Sequence, residues 1–157
     1  MNEQDKELLF IDLCGRIPYE VKVNVNSEYL SEELIKSGYD KPLVVYGVTA
    51  DGSISFTLDK FLMEYSMPIL SIKPYLFPLS SMTDEQKKEL DKKFYVRGIY
   101  WNSIEIRYHS QGYWDTDLEV DFQDWLWLID WLNKNHFDNR GLIPMGLALD
   151  ATNLNIY

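Results

Sequence analysis

The chain has 157 residues, 46 % of them apolar and 15 % aromatic, and 25 acidic against 15 basic side chains give a formal charge of -10. That apolar content excludes a disordered acidic tail, and the length suits one globular domain, residues 1–157, that can bury a core without a metal or disulfide. The acidic balance excludes direct nucleic-acid binding and docking on anionic membranes, both of which need a basic footprint.

Residues 3–14 read as a helix with an acidic first turn, which Gly15 is placed to end as a left-handed cap and Pro18 keeps from resuming. Cys14, the only cysteine, sits among Leu8, Leu9, Ile11 and Leu13 without a His or CxxC partner. It therefore reads as a buried small hydrophobe rather than a nucleophile, and a lone cysteine fits a reducing compartment. The polar start Met1–Glu7 is the opposite of a signal peptide, and no apolar run approaches the roughly 20 residues that span a bilayer. A soluble, cytoplasmic protein with no membrane association is expected.

Tyr19–Asn26 alternates strictly, with Tyr19, Val21, Val23 and Val25 on one face and Glu20, Lys22, Asn24 and Asn26 on the other. This is a half-buried strand. Residues 28–37 suit a short helix. Leu43–Thr49 and Ser53–Leu58 form a hairpin around Ala50-Asp51-Gly52. A three-residue loop with Gly52 in the left-handed position sets Ile54, Phe56 and Leu58 opposite Val48, Tyr46 and Val44, the better apolar register. The following stretch, rich in Met, Ser and Pro, reads as a loop in which Pro74 and Pro78 leave at best an edge strand. Thr83 and Gln86 match a capping box for a charged helix through about Lys93. Phe94–Trp101 and Ile104–Tyr108 make a second hairpin around Asn102-Ser103, with Ile104, Ile106 and Tyr108 on one side and Glu105 and Arg107 on the other. Residues 109–119 read as a loop, 120–135 as the strongest helix, and 141–157 as an irregular tail. The expected fold is α+β: an antiparallel sheet of about five strands, two hairpins plus one strand. An N-terminal helix and a Trp-rich C-terminal helix cover it.

Asp12–Tyr19, Ile72–Thr83 and Asp130–Asp138 followed by Arg140–Ile143 form three motifs that together span most of the chain. In this order they resemble a family of short uncharacterised proteins of gut Bacteroidales and their phages and prophages. The Phe94–Tyr108 hairpin is extra relative to shorter members, and Pro144-Met145 stands where others often carry a charged pair. The resemblance implies an accessory protein of a phage or mobile element and assigns no catalytic residue, cofactor or ligand.

At 100° per residue, Phe122, Trp125, Leu126, Leu128, Ile129 and Leu132 share one broad face of the last helix, which reads as core. Trp127 and Trp131 fall opposite, beside Gln123, Asp124 and Lys134. Such a pair is either covered by the 109–118 loop or the tail, or forms a partner-binding patch or homodimer seam. Asp115, Asp117, Glu119, Asp121 and Asp124 lie in a stretch without Lys or Arg from 109 to 133. This acid cluster reads as a solvated face, as the flank of that patch, or as mimicry of nucleic-acid phosphates. Calcium ligation lacks the EF-hand pattern, and no zinc spacing, phosphate loop or nucleophile elbow occurs. His136, Asp138 and Arg140 are the only grouping that suits acid–base catalysis, although His136 at a helix end also suits a capping cation. The leading expectation is a non-enzymatic protein-interaction module centred on Trp127, Trp131 and the adjacent acids, with no cofactor or metal. The alternatives are an acidic inhibitor of a nucleic-acid-binding protein and a small enzyme using His136 and Asp138.

Overall fold

The computed structural model describes residues 2–58, 61–100, 104–108 and 122–157. Helix α1 spans Glu3–Arg16 and opens on a capping box in which Asn2 and Asp5 exchange hydrogen bonds of 2.8 Å. It runs through Gly15 to Arg16, and the left-handed residue after it is Glu20 (φ 55), not Gly15. Gly15 serves closeness instead of capping: a Cβ there would lie 2.9 Å from Asn133 Nδ2 on the last helix. Cys14 is exposed, contrary to its expected burial, because Leu9 and Leu13 define the inward side of α1.

Strand β1 covers Lys22–Val25, shorter than expected, with Val23 and Val25 buried and Val21 buried just ahead of it. Ser31 caps the five-residue helix α2, Glu32–Lys36. Strands β2 (Leu43–Val48) and β3 (Ser53–Leu58) pair with Val48 opposite Ile54, and Gly52 adopts φ 81 in the three-residue turn. Beyond that first pair the register departs from expectation, since a bulge at Tyr46 sets Phe56 opposite Val45. The bulge turns Tyr46 to the surface and keeps Leu43, Val45 and Phe56 inside.

Two strands arise in the stretch that reads as a loop. β4 (Phe61–Pro68) pairs with β3, and β5 (Ile72–Leu76) lies beside β1 with Val23 opposite Pro74. Val45 N donates to Val21 O, so odd residues of β1 aim their peptide groups at β2. Pro74 is therefore asked for no bond to β1, and the two-residue strand β8 (Leu149–Asp150) joins β5 in parallel only from Tyr75 onward. The sheet order is β4-β3-β2-β1-β5-β8. Its core packs these valines with Leu9 and Leu13 of α1.

Helix α3 (Asp84–Asp91) carries the expected Thr83–Gln86 capping box. β6 (Phe94–Ile99) and β7 (Ile104–Tyr108) pair as a hairpin, but as a separate two-stranded sheet rather than part of the main one. The Asn102-Ser103 turn lies outside the described residues. Helix α4 spans Phe122–Lys134. Leu79, Met82, Leu90 and Phe94 meet Leu128, Trp131, Leu132 and Phe137 in a second hydrophobic cluster. The fold is thus α+β, with a six-stranded sheet and helices at both ends of the chain.

Candidate functional site on the last helix and the turn that follows

Eight of the 13 residues of α4 are apolar, so burying one face leaves apolar side chains on the other. The expected assignment of those faces is corrected. Leu128 and Leu132 are buried, but Phe122 is 70 % exposed, and Trp125, Leu126 and Ile129 are exposed by more than 40 %. Trp131 is buried and Trp127 half-buried. The two indoles stack at 6.3 Å between ring centres, Phe94 lies 5.9 Å from Trp127, and Phe137 stacks on Trp131 at 5.9 Å. Lys93 places its ammonium 4.9 Å over the Trp127 ring and 2.7 Å from Asp124. Trp127, Trp131 and Asp124 are therefore brought together, but largely as a surface this chain fills itself. Asp115, Asp117, Glu119 and Asp121 lie outside the described residues.

At the end of α4, His136 takes a left-handed conformation (φ 56), with its N–H on Asn133 O and Phe137 N–H on Leu132 O. That turn lays the next residues along Phe77, whose N–H donates to His136 O while Asp138 N–H donates to Phe77 O. The imidazole stacks on Tyr157 at 3.8 Å. Burial, with the charges of Arg16 and Lys22, pushes the His136 pKa down to about 4. The ring is neutral near pH 7, so it does not supply the cation expected at the helix terminus. The Tyr157 hydroxyl accepts from Lys22 N–H and donates to Tyr75 O, bridging β1 and β5 where their ladder ends. Burial raises its pKa to about 12.

Asp138 is buried, and both carboxylate oxygens are taken by main-chain donors, Leu142 N at 2.7 Å and Ile143 N at 2.8 Å. This closes the 138–143 loop and leaves the carboxylate poorly placed to orient an imidazole. Arg140 reaches back to Asp12, 3.5 Å away. Neither His136 nor Asp138 lines any of the three described cavities. One of these, about 270 Å³, is a groove formed by Trp125, Leu128, Ile129, Leu132, Asn139 and Arg140 on the bare side of α4.

Sequence reasoning missed the pair that anchors this turn. Arg16 donates twice to Asp12, at 2.7 and 2.9 Å, and also to Phe137 O and Asn139 Oδ1, with both charged side chains fully buried. The signal was the i, i+4 spacing of Asp12 and Arg16. Among the described residues no cluster of His, Cys, Asp or Glu is arranged to hold a metal ion, and no helix is long and apolar enough to cross a membrane. The Cys14 thiol is pushed up by partial burial, which favours its protonated form.

No protein-family model, curated protein or solved structure matches the chain.

Proposed function

We propose that the protein is a non-enzymatic protein-interaction module. It works in the cytoplasm as an accessory protein of a phage or mobile element and docks through the outer face of α4. The observation that carries this reading is the stripe of Phe122, Trp125, Leu126 and Ile129, four large apolar side chains exposed at helical spacing. A contiguous apolar patch of this kind is uncommon on a monomer surface and marks interfaces. The docking surface thus moves from Trp127 and Trp131 to the opposite side of the same helix. Its occupant is a protein surface able to bury those side chains. The setting rests on the resemblance of the three sequence motifs, and the compartment on an exposed, unpaired Cys14.

The test compares the wild-type chain with Ile129→Glu, which places a carboxylate in the stripe without touching either core cluster. The variant is expected to keep its circular dichroism spectrum and to lose at least tenfold in affinity for whatever the wild-type chain binds specifically. Binding that survives Ile129→Glu and disappears steeply with added salt on a basic partner would favour the acidic-inhibitor reading instead.

A further inference from the structure

The groove formed by α4 and the loop after it is apolar at one end and cationic at the other. Leu128 and Leu132 are buried and give it a floor, while Trp125 and Ile129 are exposed at its rim. Asn139 and Arg140 complete the lining. Asn139 is held from two sides, accepting from Arg16 Nη2 and donating to Asn133 Oδ1, each at 3.2 Å. Arg140 is far less committed. Arg16 already occupies both oxygens of Asp12, Oδ2 at 2.7 Å and Oδ1 at 2.9 Å, so Arg140 Nε reaches that carboxylate only at 3.5 Å. The two terminal nitrogens of Arg140 have no partner among the described residues. Two guanidiniums thus share one carboxylate, which leaves one positive charge over. Asp138 does not pair with it, because both its oxygens accept from the main chain of Leu142 and Ile143.

We propose that this groove binds a small organic carboxylate, its apolar body against Trp125, Leu128, Ile129 and Leu132 and its carboxylate on the two terminal nitrogens of Arg140. The planar fork of a guanidinium matches a carboxylate with two parallel N–H···O bonds, and the unshared charge of Arg140 supplies the attraction. Volume sets the size of the ligand. Drug-sized molecules take clefts of roughly 300–1,000 Å³, so a groove of about 270 Å³ admits one ring or a short chain. Net charge sets its valence. One carboxylate meets the spare guanidinium, whereas a phosphate dianion or an acidic protein surface is repelled by a chain of formal charge -10. The site goes beyond the docking role of the outer face, since it needs no protein partner. Trp125 and Ile129 belong to both surfaces, and Arg140 to the groove alone.

The test titrates isotope-labelled protein with phenylacetate and with octanoate at millimolar concentration, each beside its uncharged amide, phenylacetamide or octanamide, and follows nitrogen–proton correlation spectra. At least one acid is expected to shift the Trp125 indole N–H and the Asn139 side-chain amide saturably, and to bind about tenfold tighter than its amide. Arg140→Gln, which lies outside both hydrophobic clusters, is expected to keep the circular dichroism spectrum and erase the preference for the acid while leaving amide binding unchanged. Arg140→Lys keeps the charge without the fork and is expected to fall between. Equal binding of acid and amide by the wild-type chain, or a preference that survives Arg140→Gln, would overturn the assignment of the carboxylate to Arg140. Absence of saturable shifts with both acids would overturn the site. Acid binding lost in Arg140→Gln while capture of a protein partner persists would support the groove as a site separate from the docking stripe.

Discussion

Helices α1 and α4 are of nearly equal length, 14 and 13 residues, yet they divide their side chains in opposite ways. α1 buries a charged pair, Asp12 and Arg16, and leaves Ile11 exposed by 44 %. α4 buries Leu128, Trp131 and Leu132, and leaves Phe122, Trp125, Leu126 and Ile129 outside. In neither helix does hydropathy alone decide which side turns inward. α1 is oriented by Leu9 and Leu13 together with the hydrogen-bond acceptors that the 137–139 turn presents to Arg16. α4 is oriented by the aromatic surfaces of Phe94 and Phe137. A surface left bare by such an orientation is available for a partner, which is why α4 and not α1 carries the proposed site.

The sharpest way to break this contrast is to truncate one residue from each face of α4. Trp131→Ala should cost about 4 kcal/mol in urea unfolding, the usual loss for a buried tryptophan, whereas Ile129→Ala should stay within about 0.5 kcal/mol at concentrations where the chain is monomeric. Equal losses would mean that the outer face is also core. On α1, Asp12→Ala should cost about 3 kcal/mol by stranding a buried guanidinium. The bonds to Phe137 O and Asn139 Oδ1 hold the cost below the upper end for broken buried pairs. A loss under about 1 kcal/mol in the same assay would show that the pair is not what positions α1.

The third prediction concerns pH. Unfolded His136 titrates near 6.5 and folded His136 at about 4, so between these values the unfolded chain holds the extra proton. Stability is full above about pH 6.5, declines as pH falls through the window, and loses on the order of 3 kcal/mol from this group by about pH 4. His136→Asn, which tolerates the left-handed backbone, should flatten that part of the stability–pH profile. An unchanged profile would show that another group titrates there. The smallest effect is at the crossing of the two helices. Gly15→Ala gains about 1 kcal/mol in helix propensity but drives a Cβ to 2.9 Å from Asn133 Nδ2. Asn133 accepts a bond from Asn139 and is held in place. A net loss of about 1 kcal/mol is expected in thermal unfolding, and a net gain would mean that the crossing is loose.

Elements with local chemistry were legible before any coordinates. The valine alternation of β1, the left-handed Gly52 turn and the Thr83 capping box each depend on residues close in sequence. β4 was not legible, because Phe61–Pro68 mixes Met, Ser and Pro and becomes a strand by pairing with β3. The face of α4 was not legible for a different reason. When eight of a helix's 13 residues are apolar, periodicity locates the helix but leaves its rotation to partners distant in sequence. The same holds for His136, whose stacking partner Tyr157 comes from another segment, and for Asp138, whose oxygens are consumed by its own loop. The exposed apolar stripe thus lies on the helix that the sequence singled out, on the side that periodicity assigned to the core.

The bond from Arg16 to Phe137 O joins residues 121 apart in the chain. During synthesis α1 leaves the ribosome long before its acceptor exists, so its guanidinium must stay hydrated until residue 137 has emerged. The complete set of bonds to that buried charge is therefore among the last features the growing chain can establish. Leu9 and Leu13 can meet the sheet valines well before then, so the helix is placed first by its apolar side and locked last by its charge.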